Sequence, residues 1–145
     1  MLMAYPAILT PGPKDTAMVR FPDVPEAITV LDDAQDLQDQ GADALLVALS
    51  GYLDAGRPIP RPSKPQRGQE LVYLPMLAGA KLAIHDAMVS QKVSRVELAA
   101  RLGCDEKQVR RLLNLDHKSH ISQVEAALKV LGKAIATDVR DLALA

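Results

Sequence analysis

Residues 94–114, S-R-V-E-L-A-A-R-L-G-C-D-E-K-Q-V-R-R-L-L-N, read as two short helices joined by a tight turn at Gly103. A helix-turn-helix needs a small residue where its helices cross, and Ala99 supplies it. Four places later the turn needs a residue that tolerates positive φ, and Gly103 stands there. Leu98, Leu102, Cys104, Val109 and Leu112 occupy the positions that lock the two helices together. The second helix then exposes Glu106, Lys107, Gln108, Arg110, Arg111 and Asn114, with Arg95 and Lys118 flanking it. Arg and Lys can donate to guanine O6 and N7, and Gln and Asn can pair with adenine, so this helix is expected to enter a DNA major groove.

The surrounding sequence continues the helical pattern. Leu77, Ala80, Ile84 and Met88 mark a helix before the motif. Ser94 with Glu97 forms a capping box, and Asp105 with Gln108 repeats it. Ser122 with Glu125 suggests a further helix start, with Ser119 as a competing cap, and Gly132 stops that helix. The tail from Asp138 to Ala145 is expected to fray or to pack on a second subunit.

Residues before Pro75 follow another period. Tyr5–Thr10, Thr16–Phe21 and Ile28–Leu31 are strand candidates separated by short Pro/Gly/Asp turns, which favours an antiparallel meander. A 3.6-period stripe follows through Leu37, Gly41, Ala44, Leu45, Ala48, Leu49, Tyr52 and Leu53, with Asp36, Asp39 and Asp43 off it. Asp32 or Asp33 is expected to cap this helix, and Gly56 with Pro58 to end it. Residues 57–68 hold four prolines and read as a stiff loop. Glu70–Leu74 reads as a fourth strand returning to the sheet. The expected fold class is α+β: a small antiparallel sheet with one helix over residues 1–75, then an all-helical unit over residues 76–145.

Composition narrows the function. Of 145 residues, 48% are hydrophobic, so a packed core is feasible. Only Phe21, Tyr5, Tyr52 and Tyr73 are aromatic, which argues against a single-strand reader that stacks bases. Residues 1–75 carry 6 Lys/Arg against 10 Asp/Glu, a net of −4, and residues 76–145 carry 11 against 8, a net of +3. An acidic half joined to a basic half points to two different partners. A net of +3 is modest for a DNA-binding unit, so a dimer reading two half-sites is inferred. No signal peptide or membrane span is expected, and a cytoplasmic location follows as the default.

Candidate chemistry is thin. Cys104 stands alone, which excludes an internal disulfide, and reads as a small apolar packer. His117 and His120 lack a Cys or carboxylate at ligand spacing, so no metal is expected, and a phosphate contact with Lys118 and Ser119 is the more natural reading. His85 is expected to be partly exposed on its helix.

Two further motifs carry a resemblance. Phe21-Pro-Asp-Val-Pro-Glu-Ala27 and Ile59-Pro-Arg-Pro-Ser63, in the order small sheet, helix, loop, strand, helix-turn-helix, resemble the HicB antitoxin family over roughly residues 5 to 135. The resemblance implies a trimmed ribonuclease-H-type first unit, β-β-β-α-β, that binds a HicA-type toxin, a small basic mRNA-cleaving protein. It also implies a second unit that binds the operator of its own operon. The Ala99 and Gly103 spacing places the chain in the helix-turn-helix branch of that family. Tyr5, Phe21, Asp23, Glu26, Asp36 and Asp39 are the candidate toxin contacts. A working ribonuclease-H site needs carboxylates clustered on strands to hold two Mg²⁺ ions, and the first three strand candidates contain none, so neither nuclease activity nor a cofactor is expected. The alternative reading is a one-component transcriptional regulator whose first unit senses a small ligand. The expected assembly is a homodimer or a higher even oligomer.

Overall fold

The computed structural model describes residues 4–32 and 36–142. Strands β1 (Ala4–Pro11), β2 (Ala17–Arg20), β3 (Ile28–Leu31) and β4 (Glu70–Tyr73) form one antiparallel sheet in the order β3-β2-β1-β4. The register pairs Leu9 with Val19, Ala17 with Leu31 and Tyr5 with Val72. Alternation then points Tyr5, Ala7, Val19, Leu31 and Val72 to one face, where all are buried. The opposite face leaves Met18, Ile28 and Val30 exposed, as an antiparallel sheet covered on one side permits.

Helix α1 (Leu37–Asp54) covers the buried face with Leu45, Leu49, Tyr52 and Leu53. Each fully buried leucine contributes roughly 1.5–3 kcal/mol relative to exposure. Gly41 lets the helix lie close to the sheet: a Cβ there would stand 3.1 Å from both Val72 methyls. The cap of α1 is Asp36, whose side chain accepts from the Gln38 N–H, rather than Asp32 or Asp33. Asp33 lies outside the described residues. The helix begins beside Asp36 because its apolar stripe begins at Leu37.

Four helices follow: α2 (Met76–Gln91), α3 (Arg95–Leu102), α4 (Glu106–Leu112) and α5 (Ile121–Val130). They enclose a second apolar cluster built from Ile84, Met88, Leu98, Val109, Leu112, Val124 and Leu128. Helix α2 is buried nearly all round, because Leu82 packs into the first cluster while Ala80 and Ile84 pack into the second. His85 is therefore buried rather than partly exposed, and its Nε2 lies 2.8 Å from the Arg57 carbonyl. Helix α5 starts at Ile121 with His120 as its cap, not at Ser122 or Ser119. Ser119 is buried instead, with its hydroxyl 3.4 Å from the Arg111 carbonyl. Gly132, at φ 75°, follows the end of α5. The last three residues of the tail, 143–145, lie outside the described residues.

Candidate nucleic-acid interface

The local geometry at residues 94–114 is set by its caps. The Ser94 hydroxyl accepts from the Glu97 N–H at 3.1 Å, and the Asp105 carboxylate accepts from the Gln108 N–H at 2.9 Å. Each bond satisfies one of the free donors at a helix start. Between the helices Gly103 adopts φ 68°, ψ 33°, a left-handed conformation that costs a side-chain-bearing residue about 1–2 kcal/mol. Leu98, Ala99, Val109 and Leu112 are buried where the two helices meet, and Leu102 and Cys104 pack against them.

What remains outside is cationic. Arg95, Lys107, Gln108, Arg110, Arg111, Asn114 and Lys118 are all exposed, as is Glu106. Arg95, Lys107, Arg110 and Arg111 line one open cleft of about 570 Å³, together with Ser50 and Asp54 at the end of α1. Arg111 also lines a neighbouring cleft of about 340 Å³ with Gln108 and Lys118. Among the described residues the ion pairs are Arg101–Glu97 at 2.7 Å and Arg140–Asp138 at 3.0 Å, and neither uses these cations. The Asn114 side chain is partly committed, its Oδ1 accepting from the Asp116 N–H at 2.9 Å.

Beneath this surface lies a residue that pattern reading passed over. Lys81 in α2 has no exposed surface, and its ammonium donates to the carbonyls of Arg111, Asn114 and His117 at 2.9, 2.7 and 2.6 Å. Burial pushes its pKa down to about 8, so it still carries its proton at neutral pH. The available signal was a lysine standing on the apolar stripe Leu77, Ile84, Met88.

The residues expected to meet a toxin divide into three groups. Tyr5 and Phe21 are core residues with no side-chain surface to offer, because both fill the space under α1. Tyr5 Oη donates to the Pro60 carbonyl at 2.6 Å, and burial together with the Asp86 and Asp23 charges pushes its phenol pKa well above the usual range. Asp23, half-buried, and Glu26, exposed, each accept hydrogen bonds from elsewhere in the fold. Asp23 accepts from the Ser63 N–H and hydroxyl at 2.9 and 3.0 Å, and Glu26 accepts from the Tyr52 hydroxyl at 2.8 Å. Thus the F-P-D-x-P-E-A and I-P-x-P-S motifs are one contact, made by their Asp and Ser. The loop is fixed again where the Ile59 N–H donates to Asp86 at 3.0 Å. Asp36 and Asp39 remain exposed at the start of α1.

Among the described residues no group of three or more His, Cys, Asp or Glu is placed to hold a metal ion. No described helix is long and apolar enough to cross a membrane.

A model of the HicB_like antitoxin of bacterial toxin-antitoxin systems matches residues 4–83, which take in the sheet, α1, the proline loop and the start of α2. Antitoxin HicB of Escherichia coli strain K12 is 34% identical over 92% of this chain and 96% of its own length. Antitoxin HicB 1 of Photorhabdus laumondii subsp. laumondii is 30% identical over 94% of this chain and 87% of its own. Antitoxin HicB of Pseudomonas fluorescens is 36% identical, with 81% of each chain covered. With a family model matching residues 4–83 and relatives at least 30% identical over most of their length, this chain belongs to the HicB-like antitoxin family of bacterial toxin–antitoxin systems.

Proposed function

We propose that this chain neutralises a HicA-type, mRNA-cleaving toxin by direct binding and represses its own operon by binding operator DNA. Residues 1–75 would form the toxin-binding unit, with the strand and helix order of a trimmed ribonuclease-H-type fold. Residues 76–145 would form a helix-turn-helix unit. Neutralisation is by occlusion of the toxin's RNA-cleaving surface, without catalysis or cofactor. With Tyr5 and Phe21 inside the core, toxin attraction falls to the acidic edge of α1, where exposed Asp36 and Asp39 steer a basic partner.

One observation carries the DNA half. Lys107, Arg110 and Arg111 lie exposed on α4 without a carboxylate partner among the described residues, beside Arg95 at the start of α3. Such cations neutralise phosphates and reach base edges, releasing counterions as they do. A homodimer or a higher even oligomer supplies the second half-site that a unit of this modest charge requires.

The test has two arms. Co-expression with the neighbouring short reading frame should restore growth and give a stable complex. Replacing Arg110 and Arg111 with Ala should abolish sequence-specific shifts of the upstream duplex while leaving growth rescue intact. Unchanged duplex affinity in that variant would refute the DNA assignment, and failure of both rescue and complex formation would refute the antitoxin assignment.

A further inference from the structure

The Lys81 contact is more than a satisfied buried charge. Each of its three acceptors already receives a bond from within the loop: Asn114 N–H to Arg111 O at 3.2 Å, His117 N–H to Asn114 O at 3.2 Å and Ser119 N–H to His117 O at 2.9 Å. None of these carbonyls is an orphan that needs a lysine. A leucine at this core position would avoid the cost of desolvating an ammonium. What the ammonium adds is geometry. Its three N–H groups meet three carbonyls spaced along the chain, one in the last turn of α4, one just beyond it and one in the following loop.

Helix α4 has seven residues, too few to hold a direction by its own hydrogen bonds. Val109 and Leu112 seat one side of it in the core. Its C-terminal end is held by Lys81, at the pole where a cation also suits the aligned peptide dipoles. We propose that Lys81 is a positioning residue for DNA recognition: it pins the end of α4 to the middle of α2 and so sets the angle at which Arg110, Arg111 and Asn114 meet a duplex. This rests on the DNA reading given above.

The experiment separates aim from charge. Binding of the full-length chain to the duplex upstream of its own reading frame, and to an unrelated duplex of equal length, is measured across a salt series for the parent and Lys81→Met. Both proteins are first shown to be folded by circular dichroism. The exposed cations are untouched in the variant, so its affinity for the unrelated duplex should change less than about twofold and its salt slope should stay unchanged. Affinity for the upstream duplex should fall about tenfold, the worth of one well-made base contact. An equal fall in both affinities of the folded variant would overturn the proposal. An unchanged ratio of the two affinities would also overturn it, while leaving the DNA reading in place. If the parent itself fails to prefer the upstream duplex, the DNA reading falls and the proposal falls with it. Should Lys81→Met not fold, Lys81→Gln, which keeps two N–H donors, takes its place, and the same ratio decides.

Discussion

Replacing Tyr5 with Phe should weaken the fold and leave toxin binding unchanged. The ring is fully buried against α1, so Phe preserves its packing and removes only the hydroxyl. That hydroxyl makes a 2.6 Å bond to the Pro60 carbonyl across 55 residues of sequence, tying β1 to the proline loop. A neutral hydrogen bond is worth about 1 kcal/mol net, and a buried acceptor left without its donor adds up to about 1–3 kcal/mol. Pro60 is only half-buried, so water recovers part of that second cost. The expected loss is therefore about 1–2 kcal/mol, or roughly 3–6 °C in Tm for a chain of this length.

The pH dependence gives an independent sign. Burial holds the folded Tyr5 phenol above its ordinary value of 10.0, so the unfolded chain ionises first. The stability this phenol contributes is complete below pH 10 and is lost as the pH rises through the folded value. Tyr52 is raised in the same direction by burial and by its bond to Glu26, so the parent should lose stability above pH 10 more steeply than Tyr5→Phe does. Urea melts at pH 7 and at several values above 10, with titration calorimetry against the toxin, make the assay. A variant as stable as the parent but binding toxin tenfold more weakly would refute the core placement and restore Tyr5 as a contact.

Two further outcomes follow from the same geometry. Gly103→Ala should cost about 1–2 kcal/mol in urea melts, because φ 68° is strained for any residue with a Cβ, although the space around the position is open; a change below about 0.3 kcal/mol would contradict the turn. Asp23→Ala should cost about 1 kcal/mol by releasing Ser63, and should speed limited proteolysis within residues 57–68; unchanged cleavage there would show that the loop is held without Asp23.

Much of the fold was legible because local chemistry and tertiary need agreed. Ile28–Leu31 forms a strand over the range its β-branched residues suggested, and Ser94 and Asp105 cap the helices that their spacing marked. Caps went astray where several candidates stood together. Asp36 stands directly before Leu37, the first residue of the apolar stripe, so the stripe itself marked this cap more closely than Asp32 or Asp33 did, whereas His120 was chosen by where Ile121 meets the core. The cationic face of α4 was legible for a related reason: residues that must face water cannot be the ones that pack, so Val109 and Leu112 define the outside by elimination.

Amino-acid order alone determined the element types, the helical turn at Gly103 and the division between an acidic and a basic half, since each depends on neighbours within a few residues. Tertiary structure alone decided which polar side chains are engaged and which are free. Tyr5 reaches Pro60, Asp23 reaches Ser63 and Lys81 reaches three carbonyls between residues 111 and 117, each across 30 residues or more. A hydrogen bond is directional and acts over about 3 Å, so its partner is settled only when packing has brought distant segments to that distance.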